Sequence, residues 1–150
     1  MTDPRRRGRF GAVMIVLALV GLGVASYLLA VRVIGEPPTC GPIKGCETVA
    51  SSPYATVLGV PVALFGVAFS SILAAASLAW WRMADRRALY AAYGLGLAGL
   101  LAVAYLTYLE VAVIGAICIW CVTYAVTIAA GWAIASAAAW LTSDRPPPAG

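Results

Sequence analysis

Long uncharged runs dominate the hydrophobic pattern of this chain. Phe10 to Val31 carries no charge, and neither do Thr48 to Trp81 apart from its polar start, Ala88 to Leu109, or Val111 to Ser143. About 20 mostly apolar residues suffice for a helix to cross roughly 30 Å of hydrocarbon. Backbone polar groups must be satisfied within the segment in lipid, so such runs are helices. Barrel strands would alternate apolar and polar positions, and these runs do not. The pattern predicts an all-α membrane protein, a four-transmembrane-helix bundle with spans at approximately 10–33, 58–81, 88–109 and 116–141. The second uncharged run is longer than a span needs, and its helix is placed from near Leu58. Residues 1–143 are expected to form one transmembrane domain, and 144–150 a disordered tail.

The first span has a basic start and a small-residue stretch at Val24-Ala25-Ser26, as a signal peptide would. Its apolar run is longer than a usual signal core, and three further spans follow, so it reads as a retained anchor. Arg7-Gly8-Arg9-Phe10 fits a twin-arginine signal poorly. Basic residues then set the orientation. Arg5, Arg6, Arg7 and Arg9 precede span one, Arg82, Arg86 and Arg87 separate spans two and three, and Arg145 follows span four. All three segments fall on one side, which places both termini in the cytoplasm. The connection 34–57, with Lys44 its only basic residue, and a tight turn from Glu110 to Gly115 then lie outside. Trp80, Trp81 and Trp120 fall near the span ends and are expected to anchor the helices at the interfaces. Gly94, Gly96 and Gly99 would let helices approach closely, within the bundle or at a dimer face.

Composition narrows the function. Hydrophobic residues make up 63% of the 150 and charged residues 11%, too few to cover a water-facing surface. Mean hydropathy is +0.93. The net charge of +4 comes from only ten Lys and Arg, mostly in short clusters with no basic helical face, which argues against nucleic-acid binding. There is no histidine, so the usual general base, the commonest metal ligand and any Ser-His or Cys-His pair are absent. Four cysteines carry the remaining chemistry.

Cys40 and Cys46 fall in the external connection, and Cys118-Ile119-Trp120-Cys121 lies at the outer start of span four. All four therefore meet one membrane face, although the spans were assigned without reference to them. Positions i and i+3 share a helix face, so Cys118 and Cys121 can close a small, reducible disulfide. A helix N-terminus favours a thiolate, which makes Cys118 the more acidic thiol, while lipid burial acts the other way. Cys40-Gly41-Pro42-Ile43-Lys44-Gly45-Cys46 is rich in turn formers. It reads as an exposed, mobile segment able to form its own disulfide and to exchange with another. Two structural disulfides, or a four-thiolate zinc or iron–sulfur site, are the bland alternatives. Two pairs on one face fit an electron relay between a soluble partner and an acceptor in the membrane better.

These motifs together resemble the vitamin K epoxide reductase family in its bacterial form. The resemblance runs from about Val13 to about Trp140. Its marks are Cys46-Glu47-Thr48-Val49-Ala50-Ser51-Ser52-Pro53-Tyr54, then Gly59-Val60-Pro61 and Gly66. Tyr105-Leu106-Thr107-Tyr108-Leu109-Glu110 and the Cys118–Cys121 motif complete them. The resemblance implies a four-helix thiol oxidoreductase that couples disulfide formation to reduction of a quinone, menaquinone or ubiquinone, without a metal. It implies that Cys118 and Cys121 are the active-site pair, with Cys121 facing the quinone. Cys40 and Cys46 would be the shuttle pair that meets a thioredoxin-like, disulfide-oxidase partner, and Ser52 would lie beside the quinone. Many bacterial members carry a fused thioredoxin-like domain; none follows the bundle here, so a separate partner on the external face is expected. The implied location is the bacterial inner membrane, multi-pass, with the active site external. Tyr124 stands at a different offset from the tyrosine that follows the pair in animal members, and that role is not carried over.

Quinone reduction develops negative charge on a ring oxygen, and Ser52 is the expected donor. Without histidine, protons must come from thiols, water, Ser52 or Glu110. Glu110 otherwise reads as a loop or capping carboxylate, and Ser52 as a helix cap. Leu64 and Phe65 are candidates to line an apolar pocket, with ordinary packing the preferred reading. The competing class is a non-catalytic four-span scaffold or transporter subunit with structural disulfides. The unrelated four-helix bacterial disulfide oxidases place Cys-x-x-Cys in the first external loop, whereas here it opens the fourth helix.

Overall fold

The computed structural model describes residues 4–42 and 45–143. The expected tail, Arg145 and Lys44 lie outside the described residues. Four helices are long and apolar enough to cross a membrane. They are α1 (Pro4–Ile34), α3 (Val62–Met83), α4 (Arg86–Tyr108, extended by a π-helical turn Leu109–Ile114) and α5 (Ile119–Ser143). A short helix α2 (Gly45–Ser51), a 3-10 turn (Pro53–Ala55) and strands β1 (Thr56–Val57) and β2 (Val60–Pro61) fill the connection between α1 and α3. The protein is an all-α membrane bundle of four spanning helices. α1 lies against α3 and α5, and α4 lies against α5 and α3, so the helices run α1–α3–α4–α5 around the bundle.

Several boundaries differ from the sequence reading, each for a local reason. Span two starts at Val62 rather than near Leu58 because β1 and β2 pair as a hairpin, Thr56 opposite Pro61 and Val57 opposite Val60. Leu58 and Gly59, at φ 53° and 81°, both take the left-handed conformation that a two-residue hairpin loop requires. Pro61 then caps the helix from outside, where its missing N–H costs nothing. Span three does not stop at Leu109. It continues through a π turn to Gly115, whose φ of 69° ends it. The expected tight turn from Glu110 to Gly115 is thus helical as far as Ile114, with Glu110 buried. Span four starts at Ile119 rather than 116. Between α3 and α4 the chain reverses through Ala84 and Asp85, and the Asp85 carboxylate accepts the Arg87 N–H at 2.9 Å as an N-cap.

Packing divides the bundle into two halves. Most of the core, Met14, Leu73, Trp80, Leu89 and Ala135 among it, comes from the first half of α1 and α4 and the last half of α3 and α5, while Val103 and Ile128 reach the cavity wall. It therefore fills the end remote from the cysteines. Trp80, expected as an interface anchor, is 3% exposed within this core. Small residues allow the close crossings: Gly96 seats Trp132 and Gly99 seats Phe69, while Gly94 faces open space. Two of the three span-three glycines are thus used inside the chain. The other half of the bundle encloses a cavity.

Candidate functional site

Cys40 and Cys46 form a disulfide with Cα atoms 5.9 Å apart. The expected exposed loop holds for Thr39, Gly41 and Pro42, but not for Cys46, which is fully buried at the start of α2. Four contacts hold this segment down. A Cβ on Gly45 would run into the Ile117 carbonyl, so the start of α2 rests directly on the backbone beside Cys118. Trp120 Nε1 donates to the Thr39 carbonyl at 2.9 Å. The Thr39 N–H donates to the Tyr27 hydroxyl at 3.1 Å, and the Tyr27 and Trp120 rings lie 4.7 Å apart. Arg32 Nη1 donates to the Ala50 carbonyl at 2.8 Å. Trp120 is therefore a strut between the two cysteine motifs, not simply an interface anchor.

Cys118 and Cys121 are free thiols. Cys118 is 2% exposed and occupies the N-cap of α5. Its carbonyl accepts the Val122 N–H at 3.0 Å, and its Sγ accepts the Cys121 N–H at 3.4 Å. A side chain that accepts the third amide of a helix satisfies one of its orphan donors. Cys118 stands just before the membrane-spanning helix. The hydrogen bond from the Cys121 thiol holds its pKa below the ordinary thiol range, against burial, which pushes it up. The helix-start argument pointed the same way, with the amide contribution secondary to the partner thiol.

Glu110 is 4% exposed. The π turn brings its carboxyl back over the start of α5, where Oε2 accepts the Cys118 N–H at 3.3 Å. The same carboxyl is in hydrogen-bonding contact with the Cys121 thiol. Glu110 thus satisfies an amide at the start of α5, as the capping reading expected, but it does so from a buried position that also meets the Cys121 thiol.

The cavity, about 830 Å³, connects these groups. Cys46, Ser52, Glu110, Cys118 and Cys121 all line it, with a largely apolar remainder drawn from all four spanning helices. Cys40 is not on its wall. Phe65, read from the sequence as packing, lines the cavity, whereas Leu64 faces outward. The Ser52 hydroxyl donates to the Val49 carbonyl at 2.7 Å, so its proton is already engaged. It does not cap the 3-10 turn that follows it. Tyr124 stands deeper in the cavity, donating to the Gly66 carbonyl at 3.2 Å and paired with the Ser70 hydroxyl at 3.1 Å. Among the described residues no group of His, Cys, Asp or Glu is placed to hold a metal ion.

A cystine docked on a helix-capping dithiol, in a four-helix membrane bundle, defines a membrane disulfide oxidoreductase. The chain belongs to the vitamin K epoxide reductase family, whose model matches residues 12–136. Comparison with the curated proteins found no match.

Sequence reasoning missed the Tyr27–Thr39–Trp120 strut, the Gly45 contact and the Arg32 tie. A tryptophan inside the Cys-x-x-Cys motif was the one available hint. The others depend on a fold of the connection that no periodicity announces.

Proposed function

We propose that the protein oxidises a thioredoxin-like dithiol partner at the external face and passes two electrons to a membrane quinone, menaquinone or ubiquinone. The result would drive disulfide formation in exported proteins from the bacterial inner membrane. The observation that carries this reading is that Cys46, Cys118 and Cys121 share one apolar cavity of about 830 Å³. Pockets for small organic molecules are typically of this size and character.

The partner's thiolate attacks the Cys40–Cys46 disulfide, giving a mixed disulfide that its second thiol resolves. The loop dithiol then reduces the Cys118–Cys121 disulfide by the same exchange. Forming the Cys118–Cys121 bond again releases two electrons, which a quinone in the cavity accepts as a two-electron oxidant. Phe65 and Phe69 offer flat apolar faces for a ring, and Ser52 donates to a ring oxygen only when its hydroxyl rotates away from Val49. For a two-electron couple, a potential difference of roughly 30 mV corresponds to about 1.4 kcal/mol of drive.

The test is purified protein with a reduced thioredoxin-like partner and a short-chain quinone, followed as quinol absorbance. Stoichiometric quinol and oxidised partner are expected. Silence across several partners and quinones would favour a scaffold with structural disulfides. Against that alternative stands the unbonded Cys118 and Cys121 pair facing the cavity.

A further inference from the structure

We propose that Glu110 is the proton carrier of the active-site pair, taking the Cys121 thiol proton as the Cys118–Cys121 bond forms and releasing it into the cavity. The inference deepens the proposed function and rests on it for the identity of the final acceptor. Its structural basis is independent of that acceptor. A carboxyl only 4% exposed is costly to bury unless something uses or satisfies it. Here Oε2 accepts the Cys118 N–H at 3.3 Å, and the carboxyl also meets the Cys121 thiol. A π turn, rather than continued α-helix, sets this position, and such turns recur at functional sites. Glu110 also lines the cavity that Cys121 faces, so a proton accepted from the sulfur has somewhere to go.

The chemistry balances without a further reactant. The Cys121 S–H bond breaks and its proton passes to the Glu110 carboxylate. The Sγ–Sγ bond forms between Cys121 and the Cys118 thiolate, releasing two electrons to the quinone. The carboxylic acid then returns its proton to the reduced acceptor. The second proton, lost when Cys118 ionised, comes back from water at the outer face. Glu110 ends as it began. The Ser52 hydroxyl is engaged with Val49 and the Tyr124 hydroxyl with Gly66, which leaves Glu110 as the group that meets both the Cys121 thiol and the Cys118 amide. The other titratable groups on the cavity wall are Arg32 and Glu36 at the end of α1, Glu47 on α2, Tyr54 beyond it and Tyr124 on α5.

Closure of the pair can be followed without quinone, using diamide as a two-electron, two-proton oxidant. Full-length protein with Cys118 and Cys121 reduced is mixed with diamide, and bond formation is read by alkylation and mass across a pH series. Glu110→Gln should slow closure by about 10²-fold at neutral pH, the usual scale of general-base assistance. The deficit should shrink as pH rises and hydroxide substitutes for the carboxylate. Glu110→Asp should retain part of the rate and the wild-type pH profile. A Gln variant within about threefold of wild type at every pH, or a deficit that does not change with pH, overturns the proposal. If the Gln variant does not fold, the Asp variant decides, and a closure rate whose pH profile departs from the wild-type one counts against the carrier role equally. A parallel quinone assay separates the two claims. Wild-type protein that closes its pair normally yet never yields quinol refutes the acceptor and leaves the Glu110 role standing.

Discussion

At the scale of single residues, the division of labour between Cys118 and Cys121 follows from one helix turn. Cys118 accepts an amide from the helix it caps and a hydrogen bond from its partner thiol, and both favour its thiolate. With its pKa below the ordinary thiol range, Cys118 should be present as thiolate at lower pH than a free cysteine. Alkylation by a small, membrane-permeant reagent should therefore reach its half-maximal rate at a lower pH than in a reference peptide. Replacing Cys121 with Ala removes the first cause of the shift and should move that midpoint upward. Peptide mass analysis of timed alkylations reads both. The consequence for turnover is sharper. Cys121→Ser should abolish quinol formation, a loss of roughly a thousandfold or more as for other acting units. It should leave the Cys40–Cys46 disulfide intact and stability within about 1 kcal/mol. A scaffold carrying structural disulfides would show the reverse, lost stability with no activity to lose.

Elements matter because two motifs far apart in the chain must meet. α2 does so by resting its first residue on the backbone at Ile117, an approach that glycine alone permits. Gly45→Val should push α2 away, at a cost of about 1–3 kcal/mol for an overpacked contact. Exchange between the loop pair and the Cys118–Cys121 pair should slow at least about tenfold, the kinetic equivalent of 1.36 kcal/mol. Reaction of a pre-reduced Cys118–Cys121 pair with quinone should stay near wild type. Stopped-flow quench with thiol alkylation separates the two half-reactions. The hairpin of β1 and β2 and the π turn after α4 act similarly. Each places cavity residues, Pro61 and Glu110 respectively, that a regular helix would carry elsewhere.

The molecule as a whole is a packed half and a hollow half. Helix crossings at Gly96 and Gly99 belong to one chain, and Gly99 also borders the cavity. Gly99→Leu should displace the Phe69 ring into that space and raise KM for quinone about tenfold, equivalent to about 1.4 kcal/mol. Thiol exchange between the cysteine pairs should not change, and steady-state kinetics beside a quinone-free exchange assay tests both. Orientation is a property of the same scale. The proposed orientation puts Arg5 to Arg9 and the Arg82 to Arg87 turn on the cytoplasmic side, so a cysteine at exposed Met83 should resist an impermeant maleimide in intact cells. One placed at exposed Pro37 should react. The opposite pattern would put the loop pair in a reducing compartment and end the proposed function.

Hydropathy alone determined the number and kind of spanning helices, since a bilayer accepts only segments that satisfy their own backbone. The arrangement of cysteines along those spans was likewise legible, because two pairs separated by an even number of crossings fall on one face. Local conformation was not. Cys46 and Glu110 read as loop residues, yet α2 and the π turn bury both. The causes are contacts between segments distant in the chain: Gly45 on Ile117, Trp120 on Thr39, and Glu110 on the Cys118 amide. Apolar length is a property of consecutive residues, so it can be read from one segment. Burial of a carboxyl or a cystine depends on what another segment brings to it, and only the assembled bundle supplies that partner.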